Sequence, residues 1–161
     1  MLRISLLTVC MLMVCAFVVT AEEAEKPWID MEKCAYCKNF DMELAKHMKT
    51  EYHNLTNGIM SVTVIEKDHK PMFMKAMEAM EAVTKQIGET GQVPYMCGHC
   101  TKYGELMMAG AKMEHVHGDL AEIYVATADK PELVTELQAF GKRNAEEFGK
   151  MAAAMETEKP K

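Results

Sequence analysis

The chain has 161 residues, with 18 Lys and Arg against 24 Asp and Glu, and a formal net charge of −6 at pH 7. No basic stripe runs along it, which argues against a nucleic-acid partner. Seventeen methionines are the compositional anomaly, since Met is both a flexible core filler and a soft metal ligand.

Residues 1–21 have the pattern of a secretory signal peptide. Arg3 is the only charge before Glu22, Ile4 to Val19 is almost wholly apolar, and Val19-Thr20-Ala21 forms a small-residue cleavage site. The run is short for a membrane span, which needs about 18 apolar residues or more; an uncleaved anchor is the competing reading. Val14 is a poor neighbour for a lipid-modified Cys15. The expectation is therefore an exported, soluble protein, periplasmic or extracellular, with no membrane contact once the leader is removed. Residues 22–161 then make a single domain, long enough to bury a core.

After a charged lead-in, Glu22 to Lys26, ordered chain is expected from Pro27-Trp28-Ile29, with the sole tryptophan docked on the core. A first helix is predicted from Cys34, burying Cys37, Phe40, Leu44 and His47 or Met48. Asn57-Gly58 signals a two-residue hairpin turn between 51–56 and 59–65. That register sets Leu55 opposite Met60 and His53 opposite Val62, so His53 is expected inside with Met60, Val62 and Val64. A second helix is predicted over 71–87, with Pro71 in its first turn and Phe73, Met77, Met80, Thr84 and Ile87 buried. Gly88 to Gly91 ends it. A third helix runs from Cys97 to about Lys112. A second hairpin turns at Gly118-Asp119, placing His115, His117 and Glu122 on one face and Val116, Ile123 and Val125 on the other. Asp129-Lys130-Pro131-Glu132 starts a last helix, striped to about Met155 by Leu133, Leu137, Phe140, Phe148 and Met151.

The organising feature is a repeat. Cys34-Ala35-Tyr36-Cys37 is echoed 63 residues later by Cys97-Gly98-His99-Cys100. Phe40 matches Tyr103, and Lys49-x-Glu51 matches Lys112-x-Glu114, without a gap. An internal repeat fixes the unit of the fold. The fold class expected is α+β: an α-β-β-α unit duplicated, over 31–88 and 95–155 with 89–94 as linker. The two copies form a four-stranded antiparallel sheet with helices packed on one face.

Four cysteines remain beyond the leader, in a compartment where thiols are normally oxidised or metal-bound. Two C-x-x-C pairs supply four thiolates, the closed tetrahedral set of a structural zinc. The leading expectation is a metal-binding protein for storage, handling or stabilisation, with Cys34, Cys37, Cys97 and Cys100 as ligands. Zinc is the first choice of ion and copper(I) the second, given the methionines. If the pairs are local disulfides instead, there is no cofactor and the chain is a braced interaction module. His53 is a secondary candidate ligand beside the first pair. His115 and His117, with Glu122 across the ladder, could hold zinc or copper, though a solvated hairpin face also explains them. Met72, Met74, Met77 and Met80 have the spacing of a copper(I) carrier and equally that of a helix's buried stripe.

Cys97-Gly98-His99-Cys100 also resembles the active-site tetrapeptide of the protein disulfide isomerases. The resemblance covers four residues. It implies a thiol–disulfide oxidoreductase with Cys97 as nucleophile, Cys100 as resolving thiol and His99 lowering the nucleophile's pKa. Met96 stands where that family has an aromatic, and Pro131 opens a helix rather than preceding a strand. Finally, the last helix carries Asn144 near a heptad seam, the kind of residue that fixes register in a coiled coil. That allows a homodimer through the helix, while the competing and preferred reading is that the helix crosses the domain's own sheet.

Overall fold

The structure, a computed structural model, describes residues 26–157. The leader expected over 1–21 and the tail at 158–161 lie outside them. In chain order a 3-10 turn, Cys37–Asn39, precedes α1 (Met42–Lys46), β1 (Met48–Leu55) and β2 (Gly58–Ile65). A second 3-10 turn, Lys67–His69, leads into α2 (Lys70–Thr90), followed by α3 (Gly98–Met108), β3 (Lys112–His117), β4 (Ala121–Thr127) and α4 (Pro131–Thr157). Among the described residues the four strands form one antiparallel sheet in the order β1-β2-β4-β3, and four helices accompany it. The fold is α+β, as expected. Among the described residues no helix is long and apolar enough to cross a membrane.

The first helix differs from expectation. The chain after Cys34 makes only a 3-10 turn because Asn39 Nδ2 donates to the Ala35 and Tyr36 carbonyls, at 2.8 and 3.0 Å, and folds the segment back on itself. Helix restarts at Asp41, whose carboxylate caps the Leu44 N–H at 2.6 Å. At the same offset after Cys97 stand Lys102 and Gly104, which offer neither bond, and α3 runs unbroken.

The first hairpin turns one step earlier than its Asn-Gly signal. Leu55 pairs with Gly58, His53 with Met60 and Glu51 with Val62, which puts Thr56 and Asn57 in the turn. Gly58 serves a different purpose there: any Cβ on it would land on the Ala126 carbonyl oxygen of β4. The expected face is also reversed. Ile59, Thr63 and Ile65 are buried, while Val64 is 50% exposed. The apolar alternation of Met60, Val62 and Val64 thus marks the open face, and His53 sits there, half exposed beside Glu51. The second hairpin has the predicted faces: His117 pairs with Glu122, and Val116 with Ile123.

Helix α2 outlasts its predicted end. It passes through Gly88 and stops at Gly91, whose left-handed φ of 67° ends the helix and whose N–H returns to the Ile87 carbonyl. The apolar interior is divided. Ile59, Leu106, Ala126, Ala128, Leu133, Leu137 and Phe140 form the main cluster, with Trp28 docked on it. Leu44, Ile65, Phe73 and Ala76 form a second. A third is built around the cysteines. Between the sheet and the helices lies an open, mainly apolar cleft of about 1850 Å³.

A candidate metal centre of four cysteines

The second thiol pair is set by the start of α3. Cys97 is its N-cap residue, so the sulfur stands beside the positive end of the helix dipole. The first amides of α3 are satisfied by the lead-in segment: Gly98 N–H donates to the Pro27 carbonyl at 3.0 Å, and His99 N–H to the Trp28 carbonyl at 2.8 Å. A Cβ on Gly98 would approach Trp28 Cε3 to 3.0 Å, so the glycine of this tetrapeptide makes room for tryptophan.

The first pair is carried by a loop. Asp30 accepts from the Glu32 and Lys33 amides, at 3.0 and 2.8 Å, and from the Tyr95 hydroxyl at 3.1 Å. The Lys33 amide bond above all, with the Tyr95 and Glu32 bonds, holds the Asp30 carboxyl below its usual range, against the opposing effect of burial. Ala35 N–H donates to the Tyr95 carbonyl at 3.0 Å. These bonds stitch the loop before Cys37 to the segment before Cys97.

The result is that the two pairs meet. Cys34 Sγ lies 3.5 Å from Cys100 Sγ, and Cys37 Sγ lies 3.6 Å from Cys97 Sγ and 3.5 Å from Cys100 Sγ. All four sulfurs lie within 4.8 Å of one another. A disulfide requires about 2.05 Å, and the four thiols are free. Tetrahedral Zn–S bonds of about 2.3 Å imply sulfur–sulfur edges of about 3.8 Å, close to what is observed. Cys34 and Cys97 are fully buried, and Cys37 and Cys100 are half-buried. Met96, Val83, Ile87 and Tyr36 pack around them.

Four thiols so close cannot ionise independently. S–H donation from Cys100, then from Cys37, holds Cys97 well below the ordinary thiol range. Cys100 is pushed far up because it donates to Cys37 and Cys97. Cys37 gains from the Cys100 bond, but its own donation to Cys97, together with burial, outweighs that and raises it. Deprotonation is thus easiest at Cys97, and a bound cation would supply the charge that lets the other thiols follow.

Behind the cluster stands a residue whose role the heptad reading missed. Asn144 is fully buried within its own chain, and its Oδ1 meets Trp28 Nε1 at 2.9 Å and His99 Nδ1 at 2.8 Å. An indole N–H can only donate, so the amide oxygen must face it. His99 therefore carries its proton on Nδ1. Burial keeps the imidazole neutral by lowering its pKa.

Of the secondary candidates, His53 is gathered with no ligand set among the described residues. His115 and His117 converge on Glu122. His47 and His69 stack at 3.5 Å beside Glu66. Met72 and Met74 are exposed, whereas Met77 packs on the Phe73 cluster.

Comparison with protein-family models, with curated proteins and with solved structures finds no match to this chain.

Proposed function

We propose that the protein is an exported metal-binding protein whose two C-x-x-C pairs form one shared thiolate cage for a soft or borderline cation, zinc first. The observation that carries this reading is the convergence of four free sulfurs, from segments about 60 residues apart, at spacings close to a ZnS₄ tetrahedron. A closed four-thiolate set leaves no coordination position for a substrate, so the role is binding, handling or stabilisation rather than hydrolysis. The matching strand order of the two halves, with β2 and β4 central, supports their origin by duplication, with helices on one face of the joint sheet.

Burial bears on the oxidoreductase alternative. In a dithiol enzyme the attacking sulfur must be reachable, yet Cys97 is fully buried and Cys100 is the more open of the pair. The separation of the sulfurs also argues against two static disulfides. Copper(I) is the second ion, favoured by one feature: half-buried Cys37 and Cys100 border the same cleft as Met74, Met77, Met80 and Met151, which gives a soft ion thioether contacts on approach.

Native mass spectrometry with elemental analysis of protein taken from its own compartment tests the proposal. At least one metal per chain is expected, with one equivalent lost in Cys37→Ser/Cys100→Ser. A metal-free chain four protons light would sink it in favour of disulfides, and turnover in insulin reduction would favour the enzyme.

A further inference from the structure

A second constellation stands apart from the sulfurs, on the β3–β4 hairpin. The strand period puts His115 and His117 on one face, and the register sets Glu122 opposite His117. The Glu122 side chain is fully buried, while those of His115 and His117 are 22% and 59% exposed. His115 Nε2 and His117 Nδ1 both approach the same carboxylate oxygen, Oε2, at 2.8 Å. The other oxygen, Oε1, is engaged by Lys70 at the start of α2, whose ammonium also donates to the Gly118 carbonyl at 2.9 Å. His115 is fixed by stacking on Tyr124, with centroids 3.9 Å apart and planes 14° from parallel.

We propose that His115, His117 and Glu122 form a second metal site, for a borderline divalent ion such as Zn²⁺ or Cu²⁺, with coordination positions open to solvent.

Metal–nitrogen and metal–oxygen bonds of about 2.0–2.2 Å imply ligand-atom separations of about 3.3–3.6 Å in a tetrahedral site and about 2.8–3.1 Å in a square-planar or octahedral one. The two N···O distances of 2.8 Å match the latter and would open by about half an ångström for the former. A fully buried carboxylate is costly unless its charge is matched. Here one oxygen is already matched by Lys70, and two imidazoles aim at the other. That arrangement resembles a ligand held by an outer hydrogen bond, which directs the carboxylate to bind through Oε2 alone. Two nitrogens and one oxygen suit a borderline ion better than a soft one. Half-exposed His117 leaves room for water or another small ligand in the remaining positions. The reading is independent of the sulfur cage, from which it differs in ligand type, element and access.

The hairpin site has a natural control in His47, Glu66 and His69. There Glu66 is 65% exposed and, among the described residues, no lysine fixes its second oxygen, so the cluster lacks a preset ligand.

The test is calorimetric titration of Zn²⁺ into the full mature chain whose cysteine site has already been filled with zinc. One additional equivalent is expected. It should weaken at least tenfold in His117→Ala and in His115→Gln, and remain in His47→Ala. Glu122→Gln risks misfolding because it unpairs Lys70. The exposed His117 variant therefore decides, with its fold checked by circular dichroism. Cu²⁺ added to the zinc-filled protein should give an electron paramagnetic resonance signal with splitting from two nitrogens, lost in His117→Ala. No additional equivalent in the wild type, or one that persists in His117→Ala or disappears in His47→Ala, overturns the proposal.

Discussion

His47 is the residue whose charge the fold most plainly exploits. Its Nδ1 lies 2.8 Å from Glu66 and its Nε2 3.3 Å from Glu43. The Glu66 bond raises its pKa above the ordinary histidine value, against a smaller opposing effect of burial. A raised folded-state pKa means that the protonated form is stabilised by folding. The contribution is complete below the unfolded value of about 6.5 and is lost as pH rises through the folded one. Wild type should therefore exceed Glu66→Gln in thermal midpoint most strongly near pH 6, and the gap should close in mildly alkaline buffer. A gap that widens as pH rises would show the sign to be wrong. At this scale sequence was a partial guide. The four cysteines were legible because thiols in C-x-x-C spacing have few uses. The Asn144 carboxamide was visible only as a polar interruption in an apolar stripe. Its partners, Trp28 and His99, lie 116 and 45 residues away, and nothing local announces them.

Elements were legible where one force dominates. The long stripes of α2 and α4 and the alternation of the second hairpin gave type and extent within a few residues. The first hairpin misled because two rules competed at Gly58. Read locally, the glycine supplies positive φ to a turn; in the fold it has no positive φ and serves the close approach of β4. Sheet faces misled for a similar reason. Ser61 and Thr63 turn toward the cleft, where Thr50 and Thr63 share a hydroxyl hydrogen bond of 2.9 Å, so hydrophobicity alone pointed the wrong way. The two glycine roles separate in a paired measurement. Gly58→Ala forces backbone apart between β2 and β4 and should cost more than about 3 kcal/mol, the range of severe core disruption. Gly88→Ala meets nothing within 4 Å inside α2 and should stabilise by about 0.5–1 kcal/mol. Chemical denaturation of both variants checks this. Equal effects would mean that Gly58 is an ordinary strand residue.

At the scale of the molecule, the apolar interior is split, and the three clusters do not depend equally on the cysteines. The main one joins α3 and α4 to β2 and β4 through Leu106, Leu137, Phe140, Ile59 and Ala126, and full burial of each large side chain there stabilises by about 1.5–3 kcal/mol. The third consists of the thiols and a thin surround of Ala35, Met96, Val83 and Ile87. Without a cation its buried thiols can carry little negative charge, and the loop bearing Cys34 and Cys37 is tied to its neighbour by few bonds, chiefly Ala35 to Tyr95 and Tyr95 to Asp30. An ion held only by the folded form adds stability by mass action, about 2.7 kcal/mol at a hundredfold excess over Kd. Its removal should act locally before it acts globally. Chelation is therefore expected to lower the thermal midpoint while the far-ultraviolet spectrum of sheet and helix persists. Hydrogen exchange should accelerate over residues 30–40 and at the first turn of α3, and stay slow in β2, β4 and the first half of α4. Uniform acceleration along the chain would mean that the cage holds the whole fold together. No change at all under chelation would mean that the four sulfurs hold no ion.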